Sequence, residues 1–538
     1  MDDSHSSRGS DQPLLVAIGL VLTLYILYIL ATMIGWLPPV PAHPQDQGEQ
    51  RRIEQGPVTQ APAGEAGAAK EAEYPPPLVM VLPFVLLLAA IAVLPLVPAT
   101  EHWWDNNRNR FIVAAALGAI TLLYYIVLYE HPVKCHWIRE STVPHTEGGL
   151  NFLLGFAVFA NGILHEYIPF IMLLFSLYAI SGGIRIQGDL RAHSLTNSVF
   201  IAVGGVLASF IGTTGAAMLL IRPLLETNKE RRHVKHSVIF FIFVVCNCGG
   251  CLLPIGDPPL FLGYLRGVHF LWTFKLWPQW LFVNATLIGI YYLYDRFWCY
   301  PHEEPIDIVR DETRVRGLRF SGLWPNALLL LGVILSVAFL DPNMPLPGTD
   351  WHPWPYLREI TQLGLVALSL ILGSRAVRRA NNFNYHAILE VAALFFGIFI
   401  CMQPPLQILH VKGPNLGLTG PMQFFWLTGA LSSVLDNAPT YVVFFETAKT
   451  LGGEDPVFLT TGAIASSLLR AVSLGAVFMG AMTYIGNGPN FMVKAIAEKS
   501  GIRMPSFFGY MFYSCGILLP LFALTSLITW FVLPAIAQ

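Results

Sequence analysis

The chain has 538 residues, of which 54% are hydrophobic and only 12% charged, with a formal net charge of -2. Soluble domains carry roughly 25% charged residues, and mean hydropathy here is +0.55, which excludes an ordinary soluble core and points to a polytopic membrane protein. The net charge says nothing about partners, though no nucleic acid is expected among them, and the seven cysteines lie scattered in apolar surroundings, unlike the dense framework of a small secreted domain.

The first apolar run, 14–36, follows a short polar start whose only basic residue is Arg8. It is longer than a signal-peptide core of about 7 to 15 residues and reads as an N-terminal transmembrane helix or retained signal anchor over 1–37. The tripeptide VPA at 40–42 leaves cleavage open. Residues 38–76, rich in Pro, Ala, Gly, Gln and Glu, cannot form a core and read as a disordered extramembrane linker.

Further runs at 77–99, 110–129, 276–294, 322–340 and 507–535 approach or exceed the roughly 20 residues that span a bilayer. Two halves, 77–296 and 322–538, joined by a cytoplasmic connecting loop at 297–321, repeat the same elements in the same order. A shift of 224 residues aligns GVLASFIGTTGAAMLLI (205–221) with GALSSVLDNAPTYVVFF (429–445) and places Glu166 on Glu390. A shift of 230 aligns PIGDPPLF (254–261) with YIGNGPNF (484–491), matching Ile255, Gly256, Pro259 and Phe261 to Ile485, Gly486, Pro489 and Phe491.

Lys and Arg collect on cytoplasmic loops. Lys229, Arg231, Arg232 and Lys235 mark one; Arg296, Arg310, Arg314, Arg316 and Arg319 a second; Arg375, Arg378 and Arg379 a third; Lys494, Lys499 and Arg503 a fourth. Residues 341–356 have neither Lys nor Arg and are placed outside. These constraints thread only if 196–226 and 421–450 are re-entrant hairpins opening to opposite sides. The expected fold is an all-α polytopic membrane protein of two inverted-topology repeats plus the extra N-terminal helix. Each repeat has three crossings, a re-entrant hairpin, a broken helix and one further crossing. The short apolar stretch 150–164 is expected to lie along the membrane.

Four interruptions fall in related pairs: Gly212–Gly215 with Asp436–Pro439, and Gly256–Pro259 with Gly486–Pro489. Non-helical backbone at membrane depth survives only where it is buried in protein or lines a polar cavity. Paired interruptions in inverted-repeat transporters meet near the midplane, where helix ends and unwound carbonyls coordinate ions. An ionised carboxylate there costs about 2.5 to 3.5 kcal/mol on insertion scales, so Asp436 must be protonated, ion-paired or bound to a cation. Asp436 and Asn437, with Ser433 beside them, supply hard oxygen donors suited to sodium, and a proton and a cation would compete for the same carboxylate.

The competing structural role for Asp436 is an N-cap, and for Asp257, in IGDPP, a helix start is the stronger competitor. Glu166 and Glu390 sit at repeat-related positions in apolar helices, which sets an ion or proton role against inter-helix hydrogen bonding. Asn247 and Asn487 are placed to satisfy freed backbone, with contact to the ion as the alternative, and Thr213 and Thr214 to offer hydroxyls or to pack. His165 and His386 read as solvated helix ends. Cys246, Cys248 and Cys251, in CNCGGC, read as small-residue packing rather than a metal knuckle, since a helix splays the first two and no histidine follows at ligand spacing.

EYIPFIMLLFSLYAISGGIRIQG (166–188), GGVLASFIGTTGAAMLLIRPLLETN (204–228), GGCLLPIGDPPLFLGYLRGV (249–268) and SSVLDNAPTYVVFF (432–445) resemble the ion transporter superfamily. That superfamily includes citrate and dicarboxylate carriers, arsenite efflux proteins and NhaD-type sodium/proton antiporters, and these motifs look most like the NhaD-type branch. The resemblance covers roughly 75–535 and implies a two-hairpin scaffold, alternating access and a homodimer in a bacterial inner membrane. It differs from the carboxylate carriers, which carry Ser-Asn-Thr at both hairpin tips. Here the tips read Gly-Thr-Thr-Gly and Asp-Asn-Ala-Pro. An ionised Asp436 would repel a carboxylate 4 Å away by about 4 kcal/mol at an effective dielectric of 20.

The expected function is therefore sodium or lithium/proton antiport in membrane lipid, without a resident cofactor, the transported species being Na+ and H+. The alternative is a sodium-coupled symporter of a carboxylate or inorganic anion. No nucleotide-binding loop, metalloprotease motif or nucleophile elbow suggests an enzyme.

Overall fold

In lipid, every backbone N–H and C=O must find its partner within the protein, so long apolar runs become helices. The computed structural model describes residues 12–34, 74–138, 140–313, 316–453, 455–459 and 462–532. The linker expected at 38–76 and the VPA tripeptide lie almost entirely outside the described residues. The first run forms the helix Gln12–Met33, with the Tyr25 hydroxyl donating to the Pro355 carbonyl at 2.8 Å.

Among the described residues, five helices are long and apolar enough to cross a bilayer: Leu78–Leu96, Asn107–Val127, Phe152–Ser181, Ser194–Ile211 and Phe507–Phe531. A sixth span results if His386–Cys401 and Gln403–Leu416, bent by 42°, count as one. Leu323–Phe339 is shorter, and Trp277–Tyr294 carries Gln279 and Asn284 on its buried side. This is a multi-pass, mainly helical membrane protein.

Residues 152–164 do not form the separate membrane-parallel segment expected of them. They are the first half of the single 30-residue helix Phe152–Ser181, which carries a wider π-type turn over Ala160–Tyr167 just before Pro169. That half is held by tight packing and by polar anchors. A Cβ on Gly155 would meet Ile126, one on Gly162 would meet the Phe399 carbonyl, and Asn161 bonds the His136 amide and the Lys134 carbonyl at 2.7 Å each.

Two helical pairs fold back on themselves. Ser194–Ile211 and Thr213–Thr227 pivot at Gly212, whose φ of +78° is open to glycine at little cost. A Cβ on Gly204 would lie 3.0 Å from Leu220, and at the open end Asn197 and Asn228 exchange amide hydrogen bonds of 2.7 and 2.9 Å. Pro421–Val434 and Asn437–Lys449 form the second hairpin, with Phe424 against Phe444. Each is followed by an interrupted helix, Lys235–Val244 to Pro258–Leu265 and Ser466–Met479 to Gly488–Lys499.

Small residues let these elements approach closely. A Cβ on Gly249 would stand 2.6 Å from the Gly205 backbone, and one on Gly475 2.6 Å from the Phe425 carbonyl. Cys246, Cys248 and Cys251 are fully buried at the first interruption, among these contacts.

The fold is not purely α. Among the described residues, three small antiparallel pairs join Val133–Cys135 to Ser141–Val143, Arg185–Asp189 to Arg316–Ser321, and Pro456–Leu459 to Gly462–Ala465. The connecting segment expected as a loop at 297–321 thus contributes a strand, and also the helix Pro305–Thr313.

Candidate functional site

Breaking a helix at depth leaves carbonyls without intrahelical partners, and here neutral side chains meet them. At the first interruption the Gly249 carbonyl accepts from Ser209 Oγ (2.6 Å) and Trp280 Nε1 (2.9 Å), and the Cys248 carbonyl from Asn284 Nδ2 (3.1 Å). At the second, the Ala481 carbonyl accepts from the Tyr510 hydroxyl (2.8 Å), that of Met482 from Ser514 Oγ (2.6 Å), and those of Gly480 and Thr483 from Asn490 Nδ2 (2.8 and 2.9 Å). Ser432 Oγ donates to the Ala476 carbonyl at 2.7 Å. Asn487 Nδ2 also donates to the Cys246 carbonyl (3.0 Å), so the asparagines at the crossing serve the freed backbone as well as one another.

One carboxylate gathers all four interruptions. Asp257, 1% exposed, accepts at Oδ1 from Thr213 Oγ1 of the first hairpin (3.0 Å) and from Asn487 Nδ2 of the second interrupted helix (3.1 Å). At Oδ2 it accepts from Asn437 Nδ2 of the second hairpin (2.8 Å). The Thr213 amide donates to the Gly256 carbonyl at 2.8 Å, which fixes the first hairpin tip against the first interruption. Although Asp257 precedes Pro258, its side chain caps no helix amide, so the helix-start role does not account for it. Asn247 extends the network: its Oδ1 accepts from Asn487 Nδ2 (3.3 Å), and its Nδ2 donates to Asn490 Oδ1 and to the Ile242 carbonyl (2.8 Å each).

Asp436 occupies a different position. It is half-buried, and its Oδ1 accepts from the Ala438 amide at 3.0 Å, the N-cap arrangement of the helix Asn437–Lys449. Asn437 turns its amide to Asp257 rather than to Asp436, and Ser433 Oγ donates to the Ala430 carbonyl at 2.7 Å. Thr214 is half-buried and takes no part in these bonds.

The two glutamates lie apart from this centre, each on an arginine. Glu166 Oε1 accepts from Arg266 Nη2 at 2.9 Å, and Arg266 also reaches Glu446 Oε1 at 3.3 Å. These groups border a cavity of about 440 Å³ that His165 and Lys449 also line. Glu390 pairs with Arg110 at 3.1 Å. His165 is exposed along the helix Phe152–Ser181, and His386 is exposed at the start of His386–Cys401.

Among the described residues, no basic side chain pairs with Asp257 or Asp436. Burying an ion without a partner costs several kcal/mol, whereas neutral donors alone hold Asp257 here. A proton or a hard cation is the balancing charge such a site can take, and the oxygens of Asp257, Thr213 and the surrounding asparagines are hard donors. Asn490 was missed in the sequence. Its signal was a departure from the repeat, since the 230 shift places it opposite the apolar Leu260.

Two hairpins and two interrupted helices converging on a buried carboxylate define a secondary membrane transporter. The chain belongs to the family described as "Putative citrate transport", whose model matches residues 148–531. No curated protein matches it.

Proposed function

We propose that the protein exchanges sodium or lithium for protons, with Asp257 and Asp436 as the acids for which proton and cation compete. The observation that carries this reading is Asp257, buried at the junction of four helix interruptions and bonded, among the described residues, only by the neutral donors Thr213, Asn437 and Asn487. The deprotonated carboxylate binds the cation; the protonated one excludes it. Asp436, half-buried at the second hairpin tip, is the more exposed of the two and the first that an entering cation meets.

Alternating access in this reading comes from two units of opposite topology. Support comes from side chains related by the 230-residue shift: Trp280 and Asn284 donate to carbonyls of the first interruption, Tyr510 and Ser514 to carbonyls of the second. Single cysteines introduced at 229–232 and at 413–416 should be labelled by an impermeant reagent from opposite faces of the membrane. Labelling of both from one face would remove the inverted arrangement.

A second reading, sodium-coupled symport of a carboxylate, is favoured by the family description. The hairpin tips favour exchange, because an anion arriving there meets two carboxylates and, among the described residues, no arginine or lysine paired with them. Vesicles containing the purified protein and a pH dye separate the two. Sodium or lithium added alone should move protons, less so as the medium is acidified and protons occupy the site. Sodium uptake that requires citrate and moves no protons would replace exchange with symport.

A further inference from the structure

Away from the hairpin tips, three carboxylates from three separate segments converge. Asp189 ends the strand Arg185–Asp189, Glu230 lies in the turn after the helix Thr213–Thr227, and Asp311 belongs to the helix Pro305–Thr313. Each offers an oxygen within 4.8 Å of the other two. All three are withdrawn from solvent, the Glu230 side chain to 7% exposure.

Among the described side chains, their partners leave the cluster short of positive charge. The Lys229 ammonium sits 2.5 Å from Asp189 Oδ2 and 3.7 Å from Glu230 Oε1, on a side chain that is 42% exposed. Asp311 accepts the Ala192 amide at both oxygens, 3.1 and 2.9 Å, and His193 stands beside it. Among the described residues, Glu230 Oε2 is buried with no hydrogen-bond partner. Two like charges about 4 Å apart repel by roughly 4 kcal/mol at an effective dielectric of 20, so one mobile ammonium is a weak answer to three acids.

Hard divalent cations gather oxygens at about 2.0 to 2.6 Å, so ligand oxygens separated by less than about 5 Å can share one ion. Asp189 also lines a cavity of about 600 Å³, together with Glu226 and with Arg185, Arg222 and Arg319. We propose that Asp189, Glu230 and Asp311 bind a hard divalent cation, calcium or magnesium, as the Lys229 side chain swings from Asp189 into solvent. Occupied, the site ties the turn leaving the first hairpin to the neighbouring strand and to the connecting segment.

The test is calorimetric titration of the purified full-length protein with Ca2+ and with Mg2+ separately, in a constant excess of sodium. At least one should bind at a single site. Glu230→Gln and Asp311→Asn should each weaken that binding about tenfold or more, since affinity at such sites follows ligand charge. Lys229→Met leaves the acids intact and removes their competitor, so it should tighten binding about fivefold, the scale of one exposed ion pair. If neither cation binds the unmodified protein, or both acid variants bind as well as it does, the site does not exist. Should the acid variants fail to fold, Lys229→Met decides: tighter binding supports the site, and unchanged or weaker binding overturns it. A null result here leaves the antiport reading untouched, because the titration reads no transport.

Discussion

Asp257→Asn should abolish sodium-driven proton movement in vesicles while the protein remains folded. The carboxylate is bonded from both hairpin tips and from the second interrupted helix, so the amide keeps the shape of the junction but removes its charge. Stranding a cation without its buried counter-charge costs about 3 kcal/mol or more. That corresponds to at least about a 100-fold loss in transport rate at fixed sodium. Thermal stability should stay the same or rise, because a buried acid without an ion pair is itself a burden on the fold.

Asp436 gives the contrast. Asparagine caps a helix as well as aspartate does, whereas alanine loses about 1 kcal/mol. Asp436→Asn should therefore keep full stability yet need about tenfold more sodium for half-maximal exchange, the equivalent of roughly 1.4 kcal/mol. Asp436→Ala should add the loss of stability. Normal sodium dependence in Asp436→Asn would reduce this residue to a cap, and normal transport in Asp257→Asn would end the exchange mechanism.

The elements of the fold were legible where local chemistry decides structure. Gly212, Pro439, Pro259 and Pro489 announce breaks in apolar runs, and the structure interrupts the helices there. Residues 152–181 were harder. Glu166 and Pro169 resemble the end of one segment and the start of another, but the wider turn over Ala160–Tyr167 admits the proline without ending the helix.

The site was legible in its members and not in its centre. Thr213, Asp257, Asn437, Asn247 and Asn487 were all singled out, yet the weight fell on Asp436. Asp before Pro is a helix-start signal by local grammar, and the partners that outweigh it lie 180 and 230 residues away. Repeat symmetry related Glu166 to Glu390 without showing what each of them meets. Their shared register survives, but each faces an arginine, Arg266 or Arg110, that the alignment did not couple to it.

Gly256→Ala should prevent the protein from accumulating as a folded, monodisperse species, and Gly486→Ala should have the same effect. At Gly256 a methyl group would stand 2.2 Å from the Gly250 carbonyl oxygen and 3.0 Å from the Ser209 Cα. At Gly486 it would stand 2.6 Å from the Gly480 carbonyl oxygen and 2.8 Å from that of Ser432. All four obstacles are backbone, so no rotamer change relieves them, and overpacking of this kind costs about 3 kcal/mol. The displacement also falls on function, since the Gly256 carbonyl receives the Thr213 amide and the next residue is Asp257. Gly289→Ala is the control. Its methyl would meet nothing within 4 Å in the helix Trp277–Tyr294, where alanine is the better helix former by about 1 kcal/mol. Detergent-solubilised yield and melting temperature should therefore drop for the two interruption variants and hold or rise for the control. Equal behaviour of all three would mean that the interrupted helices are looser than their contacts indicate, and the preorganised junction around Asp257 would lose its physical basis.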